Sequence, residues 1–381
     1  NDFWKGIEIH GDKAATQSAS NQGLLLIKNN ALIENARIAI NVWEHGNWNT
    51  TGGLLYAYNS TFKNNWKSIE YMPYHDFTTN GNERKNKGMI SSCKFILDDD
   101  YQETGNLNIN PAITLYDVNG VNIKGCDFED QRTYLSDYEE YAVGILSYDA
   151  SYNVTGRRLD LMNVGDPANT HDDFDSTDFD ISHFTNLYKG VHAMNGNSLA
   201  TIKVDHCMFN NNRYGVRLEG VNDAMVTRNY FLLEQNYPAE LYRMASIRTS
   251  NSSGYTIEGN IFESEAATQN FESNFISNSG IENNQVYRNQ NKNVWLSEYA
   301  SGVNTNDETD QNIVSGLQFL CNEYSNHSSD QYISGGSGFN DNKGVRLKQG
   351  LPNEPAGNTF TGNFGSYGLE RHIRSTDADE I

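Results

Sequence analysis

The chain has 381 residues, of which 37% are hydrophobic and 12% aromatic, and its formal net charge is −21 at pH 7. The aromatic content excludes an intrinsically disordered chain. The negative charge argues against nucleic acid and anionic lipid as partners, because it repels both. No apolar run approaches the roughly 18 residues that suggest a membrane span.

A short motif recurs along the chain: Ser, Cys or Asn, then any residue, then an aromatic residue. In chain order its copies are Ser60-Thr61-Phe62, Cys93-Lys94-Phe95, Cys126-Asp127-Phe128, Cys207-Met208-Phe209, Asn229-Tyr230-Phe231, Asn260-Ile261-Phe262, Asn322-Glu323-Tyr324 and Asn358-Thr359-Phe360. Weaker copies are Ser182-His183-Phe184 and Asn284-Gln285-Val286. The first three copies are 33 residues apart and later spacings vary, which is typical of constant strands joined by loops of different length.

A second element lies between these copies, a small residue followed by Val or Ile. It occurs as Ala39-Ile40, Ser68-Ile69, Gly144-Ile145, Gly190-Val191, Gly215-Val216, Ser246-Ile247 and Gly344-Val345. Each copy begins an alternating run such as Val216-Arg217-Leu218-Glu219, and a period of two indicates a strand.

Together the two elements predict an all-β solenoid. Coils of two or three short strands, stacked about 4.8 Å apart, pair each strand with its equivalents above and below. We predict one single-stranded parallel β-helix of about eleven coils over residues 1–365. Residues 366–381 leave the repeat and are predicted to be a C-terminal cap, a linker or a frayed end.

The cysteines follow the first motif. Cys93, Cys126 and Cys207 occupy the position that Asn takes in other coils, so we predict that they are buried at an inward-pointing turn. Cys321 lies one residue out of register. A Cys93–Cys126 disulfide is an open alternative if their coils are neighbours.

The succession of Asn-x-Phe and Gly-Val/Ile-x-Leu resembles the right-handed parallel β-helix proteins of the pectate-lyase-like superfamily, over nearly the whole chain. The stretches 3–11 (FWKGIEIHG), Gln22-Gly23 and 33–36 (IENA) are similar to the β-helical regions of large surface proteins that Bacteroidota export by the type IX system. The resemblance implies a right-handed coil and a secreted or cell-surface location. It leaves the activity open, since the superfamily includes lyases, hydrolases, epimerases, phage tailspikes and adhesins.

Alignment of the predicted strands produces an outward-facing column that contains His192, Arg217 and Arg248, with Glu219 on the strand of Arg217. The full column is predicted as Asn41, Glu70, Thr114, Leu146, His192, Arg217, Arg248, Trp295 and Arg346. A polysaccharide lyase needs a cation or arginine to neutralise a uronate and a base near the abstracted proton. These four residues are therefore the catalytic candidates, and the alternative is that they are solvated side chains that balance acidic loops.

The next outward column is predicted as Trp43, Met72, Tyr116, Tyr148, Met194, Glu219, Ser250, Ser297 and Lys348. Trp43, Tyr116 and Tyr148 would form an exposed aromatic ladder, and aromatic faces stack on sugar rings. We therefore predict that these three residues bind glycan. The alternatives are that loops cover the rings, or that a register shift of one residue turns them into the core.

Two acidic clusters suggest calcium. One is Asp98-Asp99-Asp100, and the other contains Asp172, Asp173, Asp175 and Asp178. Calcium binds six to eight oxygen ligands, which the second cluster can supply in part, although the chain has no EF-hand pattern. Asp172-Asp173 also matches one element of the polygalacturonase-like hydrolases, but their other three elements are missing around it.

The favoured hypothesis is a secreted or cell-surface β-helical rod with a structural, adhesive or glycan-binding role. The alternative is a polysaccharide lyase or hydrolase that acts on an acidic polysaccharide, so enzymatic activity is left open, with the balance against it. The expected partners are a polysaccharide or cell-surface glycan and other domains of a longer precursor, because the chain starts at Asn1 without a signal peptide.

Overall fold

A computed structural model describes most of the chain. The described residues are 3–101, 111–133, 135, 140–158, 179–196, 198–234, 244–265, 271–305, 315–326, 329–334, 344–346, 349–351, 353–361 and 373–375. They belong to two compact units, and the chain passes from unit 1 to unit 2 between Met208 and Phe209. Each unit is built from three parallel sheets, which we name A, B and C.

Unit 1 contains six strands in sheet A. They are Ile7–Glu8, Ile38–Asn41, Lys67–Tyr71, Pro111–Tyr116, Val143–Tyr148 and Lys189–Met194. Its sheet B strands are Leu24–Ile27, Leu54–Tyr58, Met89–Ser91, Asn119–Lys124, Ser151–Thr155 and Ile202–Asp205. Its sheet C strands are Leu32–Glu34, Thr61–Lys63, Lys94–Leu97, Asp127–Asp130 and Ser182–Thr185, and a further strand, Cys207–Asn210, contains the boundary.

Unit 2 repeats the arrangement. Its sheet A strands are Tyr214–Glu219, Met244–Ser250, Phe271–Ser277, Leu296–Ser301, Ser329–Ser334 and Ile373–Ser375. Its sheet B strands are Met225–Thr227, Thr256–Glu258, Asn283–Tyr287 and Gly316–Leu320. Its sheet C strands are Tyr230–Leu233, Ile261–Ser264, Gln290–Lys292, Glu323–Ser325 and Thr359–Thr361.

In the described part of the chain, three short antiparallel hairpins lie outside these sheets. They pair Asp76–Phe77 with Glu83–Arg84, Arg157–Arg158 with Phe179–Asp180, and Gly350–Leu351 with Glu354–Pro355. One 3₁₀ turn, Trp48–Thr50, follows the second strand of sheet A.

The chain visits the sheets in the repeating order A, B, C, and strands of one sheet from successive coils pair in parallel. This confirms the predicted all-β, parallel β-helix. Sheet A contributes six described strands in each unit, in agreement with the predicted number of coils. Ile373–Ser375 pairs with Gln331–Ile333, so sheet A extends into the segment predicted as a cap or linker. The predicted boundary at residue 365 stays a prediction.

The aromatic residue of the first motif forms the centre of the core. In unit 1 the rings of Phe62, Phe95, Phe128 and Phe184 stack in register with centroid distances of 5.0, 4.7 and 4.6 Å. In unit 2 the rings of Phe209, Phe231 and Phe262 stack at 4.7 and 5.0 Å. The spacing equals the separation of paired strands, so identical side chains at one coil position stack on each other.

The small residue of the second motif is explained by these rings. A Cβ on Gly144 would lie 2.9 Å from Phe184 Cδ1, and a Cβ on Gly215 would lie 2.6 Å from Phe231 Cε1. Gly therefore precedes the inward Val or Ile in these coils because the phenyl ring and a backbone oxygen of the next strand, Gly190 O or Ser246 O, occupy the space of a larger side chain.

The abundance of Asn follows from the turns. Eleven of the nineteen described non-glycine residues with left-handed φ are Asn, the residue type that tolerates this conformation best after Gly. The turn before sheet C also contains Cys321, with φ of 54°, at the place that Asn59 and Ser92 take in earlier coils. Cys321 is out of register because it is the turn residue that precedes the motif.

One weak copy of the motif was wrong. Asn284 lies on sheet B, where it pairs with Leu317, and the coil position belongs to Asn289-Gln290-Asn291. The third residue of this copy is Asn291 rather than an aromatic residue, so the motif pattern does not identify the copy in the sequence. The predicted burial of Cys93, Cys126 and Cys207 is confirmed, with at most 1% of each residue exposed.

Candidate functional site

The outer face of sheet A in unit 2 carries a continuous column of cationic and aromatic side chains. Five successive strands align Arg217, Arg248, Phe275, Tyr299 and Tyr332 as direct neighbours. All five are partly exposed, while the residues that flank them point into the core or lie buried. We call these five residues the Arg–aromatic column.

The cationic end of the column is supported by aromatic rings. The guanidinium carbon of Arg248 lies 4.7 Å from the ring centroid of Phe275 and 5.7 Å from that of Tyr214. Arg248 Nη1 also donates a hydrogen bond of 3.4 Å to the Tyr214 hydroxyl. Cation–π contacts of this kind hold a guanidinium group in place without neutralising its charge.

The two arginines differ in their electrostatic surroundings. Arg217 Nε lies 2.5 Å from Glu219 Oε1, and both side chains are partly exposed. Among the described residues, no carboxylate forms an ion pair with Arg248. Arg248 is therefore the residue of the column with positive charge available to an anionic ligand.

The aromatic end consists of rings that contact each other. Phe275 and Tyr299 meet edge to face, with centroids 4.8 Å apart and an angle of 86° between the rings. Tyr299 and Tyr332 are stacked at 4.9 Å and 26°. The edge-to-face contact leaves ring surface available to a ligand, and the tyrosines add polar hydroxyl groups.

A column of short polar side chains runs beside the Arg–aromatic column. Two residues further along each strand, the outward position reads Glu219, Ser250, Ser277, Ser301 and Ser334. These serines are also partly exposed. The two columns together offer one positive charge, apolar ring surface and hydroxyl groups, which are the contacts that an acidic sugar polymer needs.

The predicted catalytic candidates lie in both units. His192 is in unit 1, in register with Leu146, and only 7% of it is exposed. Its Nδ1 lies 3.3 Å from Lys189 Nζ. Arg217, Arg248 and Glu219 are in unit 2, where the structure brings them together as described above. His192 lies on the outward side of its strand, as predicted, but the residue is covered rather than exposed to solvent.

The register predicted beyond Arg248 was also wrong. The column continues through Phe275 and Tyr299, not through Trp295 and Arg346, and the second column passes through Ser301, while Ser297 is completely buried. The inward residues of these coils are polar, so the small-residue-Val/Ile motif is missing there. Alternation in Phe275-Ile276-Ser277 was the remaining sequence signal.

The predicted aromatic ladder is partly different in the structure. Trp43 is 4% exposed and its Nε1 donates a hydrogen bond of 3.3 Å to Glu70 Oε2, so the predicted exposure of Trp43 is wrong. Tyr116 and Tyr148 are direct neighbours in sheet A, and 44% of Tyr148 is exposed. A glycan contact of these two tyrosines stays a prediction.

The predicted calcium ligands Asp172, Asp173, Asp175 and Asp178 lie outside the described residues. In the other acidic cluster, Asp98 Oδ2 lies 2.6 Å from Lys63 Nζ, and Asp99 accepts hydrogen bonds of 2.7 Å from the backbone and hydroxyl of Thr133. Burial raises the pKa of Asp98, but hydrogen bonds from Lys63 and Asn64 outweigh it and lower the pKa overall. No group of three metal-ligating His, Cys, Asp or Glu residues occurs in the described part of the chain.

All four cysteines are free thiols, so the Cys93–Cys126 disulfide is not formed. Cys126 and Cys207 are completely buried, and burial raises the pKa of both thiols well above the ordinary value. Cys321 is exposed.

Comparison with protein-family models gives no match, and a search of curated proteins gives none either. Among solved structures, the chain is similar to PfbA, a surface adhesin of Streptococcus pneumoniae, with a TM-score of 0.36 and 13% sequence identity over 93% of this chain and 82% of that one. The described residues contain no helix with the length and apolarity required to cross a membrane.

Proposed function

We propose that this chain is a secreted or cell-surface β-helical module that binds an acidic polysaccharide along the Arg–aromatic column. The observation that carries the proposal is the alignment of Arg217, Arg248, Phe275, Tyr299 and Tyr332 on five successive strands. Side chains at equivalent positions on successive strands of one sheet face form a regular binding surface rather than an isolated pocket.

The dimensions favour a polymer over a single sugar. Four steps of about 4.8 Å make the column roughly 19 Å long, so it can contact several consecutive sugar residues. Ring surface at Phe275 and Tyr299 packs against the apolar side of a pyranose, and the serine column supplies hydroxyl groups at the same spacing.

The charge of the ligand is inferred from Arg248. Its guanidinium is placed by Phe275 and Tyr214 and is not neutralised by a described carboxylate. Guanidinium groups bind carboxylates and sulfates through paired, charge-assisted hydrogen bonds. A uronate or sulfated sugar therefore complements this end of the column.

The proposal is tested by measuring binding of the whole chain to alginate, pectate and a sulfated glycosaminoglycan by titration calorimetry. We expect Arg248→Gln to weaken binding to the best ligand about tenfold or more, since one charge-assisted contact contributes more than about 1.4 kcal/mol. The matched control is Arg37→Gln, which removes the same charge from an exposed arginine that lies over the Trp66 ring in unit 1. Equal losses in the two variants, or no binding by the unmodified chain, would overturn the proposal.

Two other hypotheses are tested in the same samples. Tyr148→Ala reports on the predicted glycan contact in unit 1. Ultraviolet absorbance from an unsaturated uronate product would show lyase activity, and it would replace the binding proposal by the alternative function.

A further inference from the structure

Unit 1 contains a rigid turn with an exposed tryptophan at its tip. The turn covers residues 43–50, which we call the aromatic turn. Thr50 Oγ1 accepts a hydrogen bond of 2.8 Å from the Glu44 backbone, and Asn47 Nδ2 donates one of 2.8 Å to Glu44 Oε2. The Asn47 side chain also accepts from the Asn49 backbone at the start of the 3₁₀ turn. These bonds close the turn and determine where the side chain of Trp48 lies.

Trp48 is supported from below by a buried indole. Its ring lies 5.0 Å from that of Trp43 at an angle of 37°, and 52% of Trp48 is exposed. The Trp43 ring is anchored by its hydrogen bond to Glu70, which in turn lies 2.6 Å from Lys67. An exposed indole held by a buried one is a preorganised platform, because little conformational freedom is left to lose when a ligand binds.

The groups around the turn form hydrogen bonds and include the carboxylates of Glu8, Glu44 and Glu70. The His45 ring lies 5.4 Å from Trp43, and its backbone N–H donates to Glu8 Oε1. Glu8 also contacts His10 at 3.2 Å and Lys5 at 2.8 Å, and the hydrogen bond from Lys5 is the largest cause that lowers the pKa of Glu8. The Glu8 carboxylate, with its lowered pKa, stays ionised near neutral pH, so it accepts hydrogen bonds from hydroxyl groups and disfavours an anion.

We propose that the aromatic turn is a second carbohydrate site, which binds a neutral pyranose with its apolar face on the exposed indole of Trp48. Sugar hydroxyls at the edge of the ring then donate to the surrounding carboxylates. The ligand differs in charge from the acidic polysaccharide of unit 2, and none of its contacts involves the Arg–aromatic column.

A second exposed tryptophan in the same unit shows what distinguishes this site. Trp4 is 44% exposed, but its Nε1 donates to the Glu34 backbone oxygen at 2.7 Å, and among the described residues no other aromatic ring supports it. Exposure alone therefore does not make a platform, and Trp4 provides a matched control.

The test is a fluorescence titration of the whole chain with neutral linear oligosaccharides of glucose, mannose, galactose and xylose. We expect at least one of them to shift the tryptophan emission and bind in calorimetry. Trp48→Ala should weaken this binding tenfold or more, and Trp4→Ala should leave it within about twofold. Circular dichroism of both variants establishes that the fold is intact. No binding by the unmodified chain, or equal losses in the two variants, would contradict the site.

A competition experiment separates this inference from the function proposed for unit 2. The neutral oligosaccharide should not displace a bound acidic polysaccharide from the unmodified chain, since the ligands bind at different residues. Mutual displacement would show one shared site and overturn the second site. If the unmodified chain binds the neutral oligosaccharide but no acidic polysaccharide, only the proposal for unit 2 is contradicted.

Discussion

The two units place different side chains at the same position of the coil, immediately before sheet C. In unit 1 this position reads Ser60, Cys93, Cys126, Ser182 and Cys207, and in unit 2 it reads Asn229, Asn260, Asn289, Asn322 and Asn358. We call the second set the asparagine ladder. Apart from the half-buried Asn358, the residues of both sets are buried, so the position requires a small side chain that fits inside the turn.

The asparagine ladder adds hydrogen bonds that the thiols of unit 1 cannot supply. Asn289 Oδ1 accepts from the backbone N–H and the side chain of Asn260, at 2.9 and 3.0 Å. Its Nδ2 donates to Asn322 Oδ1 and to the backbone oxygen of Ile257, each at 3.0 Å. The Cys126 thiol lies 3.4 and 3.8 Å from two backbone oxygens, and thiols are weak donors. The same coil position is therefore stabilised by hydrogen bonds where it holds Asn and by packing where it holds Cys.

A second difference lies in the inward column of sheet A. In unit 1 it is apolar, with Ile40, Ile69, Ile113, Ile145 and Val191. In unit 2 it begins with Val216 and Ile247 and continues with Asn274, Glu298 and Gln331. The core of unit 2 therefore depends on buried polar groups to a greater degree than the core of unit 1.

The largest expected effect is at the centre of the asparagine ladder. Asn289→Ala removes all the side-chain hydrogen bonds described above and leaves buried backbone and amide groups without partners. We expect a loss of about 3–5 kcal/mol in the free energy of unfolding, because each unsatisfied buried group costs about 1–3 kcal/mol. Chemical denaturation measures it. The control is Asn153→Ala, whose half-buried side chain donates one bond of 3.1 Å, and a similar loss there would contradict the prediction.

Glu298 makes the stability of unit 2 depend on pH. Burial raises the pKa of Glu298 well above its ordinary value of 4.5, and Asn274 Nδ2 donates to it at 3.3 Å. Glu298 interacts electrostatically with two titratable groups, the hydroxyls of Tyr255 and Tyr324, and Asp330 also interacts with Tyr324. Burial raises the pKa of both tyrosines. Between pH 4.5 and the raised pKa, the folded state holds a proton that the unfolded state has released. Stability must therefore fall as pH rises, by about 1.4 kcal/mol per pH unit.

Glu298→Gln removes this dependence while keeping a neutral side chain of the same shape. We expect the variant to match the unmodified chain at pH 4 and to be more stable at pH 7. Thermal unfolding at a series of pH values measures the difference. A difference that is constant with pH would show that Glu298 does not carry the proton.

A smaller effect is expected in unit 1. Cys126→Ala deletes a buried sulfur atom with two long contacts to backbone oxygens, and the lost packing should cost about 1–2 kcal/mol. Denaturation under the conditions used for Asn289→Ala makes the two values comparable. Equal losses would mean that the thiol and the amide stabilise their coils to the same degree, which would remove the contrast between the units.

The smallest effect concerns reactivity rather than stability. Because Cys93, Cys126 and Cys207 are buried and Cys321 is exposed, a thiol reagent should modify one cysteine rapidly in the folded chain and the other three after unfolding. Cys321→Ser should abolish the rapid phase. A rapid reaction of two or more thiols would show that the turns of unit 1 open readily.

Much of the fold was predictable because it depends on local repetition. The Phe of most sheet C strands and the small residue before the inward Val or Ile recur with the coil, so the class and the register of unit 1 followed from the spacing of these residues. The register failed from Phe271 onward, where Asn274, Glu298 and Gln331 take inward positions and Asn291 takes the place of the aromatic ring. Polar residues at these places resemble surface residues in a sequence, and only their neighbours across the coil make them core.

The binding surfaces were less predictable for the same reason. Arg217 and Arg248 were aligned correctly, because their strands keep the repeat motif. Phe275, Tyr299 and Tyr332 were missed because their strands do not. The repeat predicts Trp43 on the surface and does not single out Trp48, because the bonds that close the aromatic turn form between side chains in space.

The sequence by itself determined the kind of fold, since stacking of identical positions requires a repeating side chain and that repeat is visible along the chain. Tertiary structure alone decided which polar residues are buried and which aromatic rings remain exposed. Those outcomes depend on contacts between residues far apart in the chain, as in the 24-residue step from Asn274 to Glu298 and the 33-residue step from Asn289 to Asn322. Where loops change the length of a coil, the spacing in the sequence no longer identifies these neighbours. Only the packing of one coil on the next brings them together.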